Sequence, residues 1–115
     1  MSVTTYASGT QTASISTEHT LADISTAGTF IFEVDTNAMA SGDTLELRVY
    51  KKVLSGGTLR VAYMTSYTGA QLTDDIYKIS VPFSNDLVEA ASARCTLKQT
   101  AGTGRAYPWK VISHA

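Results

Sequence analysis

The sequence has a single cysteine, Cys95, and only two histidines in 115 residues. One cysteine excludes an intramolecular disulfide and any zinc site built on paired cysteines. His19 lies in a Ser/Thr-rich segment and His114 lies next to the C-terminus, so neither position predicts the rigid histidine that a nucleophile–base pair needs. The sequence therefore predicts no enzymatic activity, and we expect Cys95 to be a small buried core residue.

Charge is also scarce and balanced. Charged residues make up 17% of the chain, with nine basic and ten acidic side chains and a net charge of -1. The longest basic run is Lys51-Lys52 and apolar runs span only a few residues, so we expect no nucleic-acid partner and no membrane partner. Residues 1–5 lack the charged and apolar parts of a signal peptide, which predicts a protein made in the cytoplasm.

The acidic residues show no arrangement that is typical of catalysis or of metal binding. Those closest together in predicted strands and turns are Glu33, Asp35, Asp43 and Glu46. We interpret them as turn and polar-face residues rather than as a glycosidase pair. Together with Asp74-Asp75 they still lack the alternating carboxylates of a calcium loop. Residues 102–104, a Gly-Thr-Gly segment, lack the following helix of a phosphate loop. The sequence thus predicts no metal and no cofactor.

From Gly28 onward, apolar residues recur at every second position, which is the period of a β-strand with one buried face. The clearest strand covers residues 44–53, with Leu45, Leu47, Val49 and Val53 on one face. A Ser-Gly-Gly turn separates it from a strand over residues 58–67, so we predict a hairpin over residues 44–67. The other predicted strands are residues 29–35, 76–83, 94–100 and 105–112. This pattern predicts an all-β domain over residues 21–115, an antiparallel β-sandwich or jelly roll of seven or eight short strands.

Residues 1–20 differ from the rest of the chain because they are rich in Ser and Thr and poor in apolar anchors. Such a segment is either a disordered arm or a strand held down by other elements. Weak alternation over residues 12–17 is compatible with a short edge strand. We expect an extended or flexible N-terminal arm.

Aromatic residues are the remaining candidates for a binding surface. Tyr63 and Tyr67 share one strand face, as do Tyr107 and Trp109. Such rows stack sugars or bases in some proteins, and in others they face the core or a subunit contact. Tyr50 shares its face with charged residues, which is typical of a protein–protein contact. The candidate interface residues are Tyr6, Arg48, Tyr50, Tyr63, Tyr67 and Trp109.

From about residue 21 to residue 112, the chain resembles a group of small structural proteins of tailed bacteriophages. The resemblance is carried by strand and turn segments rather than by catalytic motifs. They are residues 20–30 (TLADISTAGTF), 41–48 (SGDTLELR), 69–71 (GAQ), 74–75 (DD), 78–82 (KISVP), 96–100 (TLKQT) and 102–105 (GTGR).

The resemblance implies a virion protein, and a capsid decoration (cement) protein fits it best. It further implies a major capsid protein as partner and self-association, with a homotrimer expected. In such a role the N-terminal arm would lie across neighbouring capsid subunits and order on binding. The alternative is a glycan-binding β-sandwich module of a tail or fibre, which would need an exposed aromatic platform.

Overall fold

The computed structural model describes residues 2–114, and nine strands account for most of them. The strands are β1 (Val3–Thr12), β2 (Glu18–Ile24), β3 (Gly28–Asp35), β4 (Thr44–Lys51), β5 (Arg60–Thr68), β6 (Tyr77–Ile79), β7 (Phe83–Asn85), β8 (Ala93–Ala101) and β9 (Ala106–His114). The only helical element in this part of the chain is a 3-10 turn, Thr73–Asp75. The predicted all-β fold class is therefore confirmed.

The strands form two antiparallel sheets. One sheet has the order β1-β9-β3-β6, and β7 pairs with β3 beyond the end of β6, which makes five strands. The other sheet has four strands in the order β2-β8-β4-β5. The sheets pack face to face, which confirms the predicted sandwich. On one side of the sandwich β1 lies near β2, and the opposite side is bounded by β5 and β6.

The core lies between the sheets and follows the period-two pattern of the strands. Its buried members come from both sheets, and the largest contributions are Phe30, Phe32 and Val34 of β3, Leu45, Leu47 and Val49 of β4, Cys95 and Leu97 of β8, and Tyr107 and Val111 of β9. Cys95 is fully buried, as predicted, and burial raises the pKa of its thiol to about 12. The thiol is thus a protonated packing group rather than a nucleophile.

The predicted hairpin is confirmed, but its turn is longer than the sequence indicates. β4 and β5 pair from Thr44↔Thr68 to Lys51↔Arg60, so residues 52–59 form the connection. The Lys52 N–H donates to Ser92 O at 3.3 Å, which draws the chain away from β5 before the Ser-Gly-Gly segment. The predicted inward position of Val53 is therefore wrong, since Val53 is 89% exposed.

The prediction of one continuous strand over residues 76–83 is wrong. The structure has two short strands, β6 and β7, because the backbone bulges at Val81-Pro82. Ser80 replaces part of the missing ladder: its N–H donates to Phe32 O, and its hydroxyl accepts from the Phe32 N–H at 2.9 Å. Pro82 cannot donate a backbone hydrogen bond, and it lies at a sheet edge as predicted.

The structure does not show the arm predicted over residues 1–20. Val3–Thr12 is extended, but it lies against β9 as the edge strand of the five-stranded sheet. Residues 12–17, predicted as a possible edge strand, instead contain the turn into β2, where Ser16 takes a φ of 65°. Pairing with β9 satisfies the backbone of this Ser/Thr-rich segment, so it needs few apolar anchors of its own.

Asp43 was predicted as a turn residue; it directly follows a turn at residues 41–42, and its side chain is fully buried. Its carboxylate accepts from the N–H groups of Ala40 and Thr103 and from Arg105 Nε at 3.0 Å. Burial alone raises the pKa of Asp43, but these donors outweigh burial and lower it. A Cβ at Gly102, where φ is 89°, would lie 2.0 Å from Asp43 Oδ1. The glycine therefore permits the buried contact as well as the turn.

Candidate protein-interaction surfaces

An apolar surface lies on the outer face of the five-stranded sheet. Ile31 of β3 is directly opposite Ile112 of β9, at positions that point away from the core. Together with Val3 and Pro82 they line a depression of about 210 Å³, and we call these four residues the apolar patch. Val3 is 62% exposed. Ile79 and Val81, each more than half exposed, lie in the neighbouring β6–β7 segment.

A more polar depression of about 200 Å³ lies further along the same sheet. Its lining includes Glu33, Asp35, Tyr77, Trp109 and Lys110. The Tyr77 hydroxyl donates to Glu33, and Lys110 Nζ lies 3.7 Å from the same carboxylate. The hydrogen bond to Glu33, assisted by burial, raises the pKa of Tyr77. Tyr77 is 54% exposed, so its ring is accessible beside a charged pair.

The outer face of the four-stranded sheet is organised by a group that we call the carboxylate network: Glu18, Glu46, Arg48, Tyr50 and Thr96. Glu18 accepts from Tyr50 OH at 2.5 Å and from Thr96 Oγ1 at 2.7 Å. Arg48 donates to Glu18 at 3.2 Å and to Glu46 at 2.7 Å. Burial alone raises the pKa of Glu18, but the bonds from Tyr50 and Thr96 and the charge of Arg48 lower it overall.

These contacts occur within one sheet and give each charged group of the network an internal partner. A second ion pair on the same face joins Arg94 Nε to Asp23 at 2.6 Å. A shallow depression of about 340 Å³ lies between the two groups, lined by Glu18, Thr20, Tyr50, Leu59, Arg94 and Thr96. No buried side-chain polar atom of residues 2–114 lacks a hydrogen-bond partner.

The aromatic candidates from the sequence are mostly packing residues. Tyr63 and Tyr67 are half-buried against the core, and Lys78 Nζ lies 4.3 Å from the centre of the Tyr67 ring. Trp109 also packs against the core and lies beside Gly9. Tyr107 is fully buried. None of these four rings is a freely exposed platform.

The six candidate interface residues do not form one surface. Arg48 and Tyr50 meet in the carboxylate network, as their shared face predicted. Tyr6 packs edge-on against Phe30, with ring centres 5.4 Å apart, and its hydroxyl accepts from the Ser25 N–H. The other candidates are distributed along β5 and β9.

Sequence reasoning missed the apolar patch, although a signal for it was present. Ile31 lies between Phe30 and Phe32, so both faces of β3 are apolar at that point. A sheet with one solvated face normally alternates apolar and polar residues. An apolar residue at an outward-facing position of such a strand therefore indicates an apolar patch on the surface of the sheet.

Comparison with known proteins identified no matching family model, no matching curated protein and no matching solved structure. No cluster of three or more His, Cys, Asp or Glu side chains suited to a metal ion occurs among residues 2–114. Over the same residues, no helix has the length and hydropathy that crossing a bilayer would require.

Proposed function

We propose that this chain is a phage virion structural protein, and specifically a capsid decoration protein that binds and stabilises the head shell. The resemblance of residues 21–112 to small phage structural proteins motivates the virion role. The observation that carries the binding mode is the apolar patch on the outer face of the five-stranded sheet. An exposed aliphatic cluster on a sheet gains stability when a partner removes it from water, by about 25 cal/mol per Å² of apolar area.

The proposed partner is the major capsid protein, and self-association is part of the same proposal. A shell offers an extended, repeated surface, which suits a flat sheet face better than a deep pocket. Val3 brings β1 into the apolar patch, so the N-terminal segment keeps a role in shell binding although it lies on β9. The proposed location is the virion.

Binding to expanded heads that lack the protein tests this proposal. Ile112→Lys places a charge in the centre of the apolar patch, whereas Thr20→Lys adds the same charge to the exposed outer face of the opposite sheet. We expect co-sedimentation of the first variant with heads to weaken at least about tenfold, because a buried unpaired charge costs several kcal/mol. We expect the second variant to bind as the unmodified protein does.

Equal binding by both variants and the unmodified protein would show that the apolar patch does not meet the shell. Failure of all three to bind would remove the decoration role itself. Circular dichroism and a melting curve for each variant establish that the sandwich is intact before binding is compared.

A glycan-binding module is the second candidate, and the polar depression beside Tyr77 favours it. An accessible ring next to Glu33, Asp35 and Lys110 combines stacking and hydrogen-bonding groups of the kind that sugars use. Trp109, the only tryptophan, lines the same depression and reports on its occupancy by fluorescence. A saturable emission change with a defined oligosaccharide, abolished by Tyr77→Ala, would favour this candidate over the decoration role.

A further inference from the structure

The free edge of β5 is the least protected backbone in the described part of the chain. β5 is the last strand of the four-stranded sheet and pairs only with β4. No backbone hydrogen bond joins β5 to another described segment on its outer side. An edge strand of this kind presents a row of unused N–H and C=O groups to any strand that can align with it.

The other three edges carry features that discourage strand addition. β2 has Glu18 and Asp23 along its length, and charges on an edge oppose pairing. β6 and β7 are three residues each and are interrupted at Pro82. β1 is uncharged, but its register breaks between Thr5 and Ala7, and the regular part that follows contains Gly9.

β5 lacks these protections over most of its length. From Val61 to Thr68 it has no charge, no proline and no glycine, and the residues Val, Tyr, Met and Thr favour extended structure. Its one register break lies at the start, where Ala62, between Val61 and Tyr63, has no partner in the pairing with β4. The segment after this break is regular. Val61 and Met64 are each about half exposed.

We propose that β5 is the edge at which two copies of this chain associate, strand to antiparallel strand, to give one continuous eight-stranded sheet. An isologous contact requires the same surface from both copies, so the strand must be complementary to itself. With Thr65 opposite Thr65, Met64 lies opposite Ser66 and Tyr63 lies opposite Tyr67. Each of these pairs is neutral and joins residues on the same face, as a continuous sheet requires.

Charge does not oppose this register. Arg60 would lie opposite position 70, which is beyond the end of β5, so the two Arg60 side chains avoid each other. Lys78 lies over Tyr67 in each copy, and the two Tyr67 residues would be four positions apart along the paired strands, which is about 13 Å. That separation exceeds the screening length of about 8 Å at physiological ionic strength. The Tyr63–Tyr67 cross-strand contacts add aromatic packing at both ends.

An isologous pair closes at two copies, which differs from the homotrimer that the phage resemblance implies. A dimer and a trimer differ in solution mass, and the measurement of that mass does not depend on head binding. Failure of this inference is therefore distinguishable from failure of the decoration role.

Light scattering of the full chain from micromolar to millimolar concentration gives the first test, and we expect a dimer. The double variant Met64→Lys/Ser66→Lys places like charges directly opposite each other in the proposed register, and we expect it to dissociate the dimer by at least about tenfold in Kd. Met64→Glu/Ser66→Glu is expected to do the same. Mixing the two variants pairs opposite charges, so a mixed dimer should form again. Thr10→Lys/Thr12→Lys on β1 is the matched control, and the dimer should survive it.

A monomer at every concentration, or a trimer, would overturn the proposal. So would a dimer that the β5 variants leave intact, or one that the β1 control disrupts equally. A monomer whose β5 variants lose binding to heads would instead assign this edge to a strand of the shell. Each double variant is first compared with the unmodified protein by circular dichroism and melting.

Discussion

The two outer faces of the sandwich differ in where their side chains find partners. On the four-stranded sheet, Glu18 of β2 binds one group of the adjacent β8 and two groups of β4, and Arg94 pairs with Asp23. On the five-stranded sheet, Ile31 and Ile112 lie opposite each other on the outer face, each half-buried, beside Val3, which is 62% exposed. The charged groups named on the four-stranded face thus have their partners within the chain. The apolar patch on the five-stranded face leaves apolar area that another molecule can cover.

We expect the four-stranded face to contribute mainly to folding stability and the five-stranded face to contribute mainly to binding. Polar groups that satisfy one another within a sheet stabilise it and gain little from a new partner, because binding would require their desolvation. Exposed aliphatic side chains contribute little to folding but gain from burial in a complex. We therefore expect substitutions on the two faces to differ in which property they change, and the following predictions test that expectation against the core that both faces share.

The largest loss of stability is expected from the shared core. Leu47 is 4% exposed and packs between the sheets, so Leu47→Ala should lower the free energy of unfolding by about 2–5 kcal/mol through lost transfer energy and a residual cavity. Urea denaturation measures this directly. Ser66→Ala, on the exposed face of the neighbouring strand, is the control and should change stability by less than about 0.5 kcal/mol. Similar values for both would mean that Leu47 is not a core residue.

A smaller loss is expected from the four-stranded face. Glu18→Ala removes the acceptor that Tyr50, Thr96 and Arg48 share, and we expect a cost of about 1–2 kcal/mol, discounted because the Glu18 side chain is 30% exposed. Glu18→Gln keeps an acceptor oxygen and should cost less. Equal stability of Glu18→Ala and the unmodified protein would show that the carboxylate network does not stabilise the fold.

Acid should weaken the same network more gently, because a protonated carboxyl group still accepts hydrogen bonds. The folded pKa values of Glu18 and Asp43 lie below their ordinary values of 4.5 and 3.8. A group whose folded pKa is lowered stabilises the protein above its unfolded pKa, and this stability is lost as the pH falls through the folded pKa. We expect the free energy of unfolding, measured against pH, to decline below about pH 4.5. In Glu18→Gln the decline should be shallower but still present, because the Gly56 N–H lowers the pKa of Glu89 and the donors around Asp43 lower the pKa of that group.

Period-two patterns predicted most of the sheet because burial of alternate residues is a local property of a strand. They located β3, β4, β8 and β9 to within a few residues, and they placed Phe30 and Leu47 inward. The break between β6 and β7 was not predictable in this way. It depends on Ser80 bonding to the Phe32 backbone, which is a contact between residues 48 positions apart.

The surfaces were less predictable because they depend on which strands become neighbours. Glu18 looked like part of a flexible arm, and its role appears only when β2 lies beside β8 and close to β4. Asp43 looked like a turn residue, and its burial depends on Arg105 and Thr103, about 60 positions away. Arg48 and Tyr50 were placed together correctly because they are two residues apart on one strand.

The smallest effect on stability is expected at the apolar patch. Val3→Thr keeps the branched shape that suits a strand and exchanges a methyl group for a hydroxyl at a position that is 62% exposed. We expect the free energy of unfolding to change by no more than about 0.5 kcal/mol, because water already reaches most of this side chain. The same variant should bind heads measurably less well than the unmodified protein, since it adds a polar group to the proposed contact. A stability loss as large as that of Glu18→Ala would mean that Val3 serves the fold, and the distinction between the two faces would fail at this position.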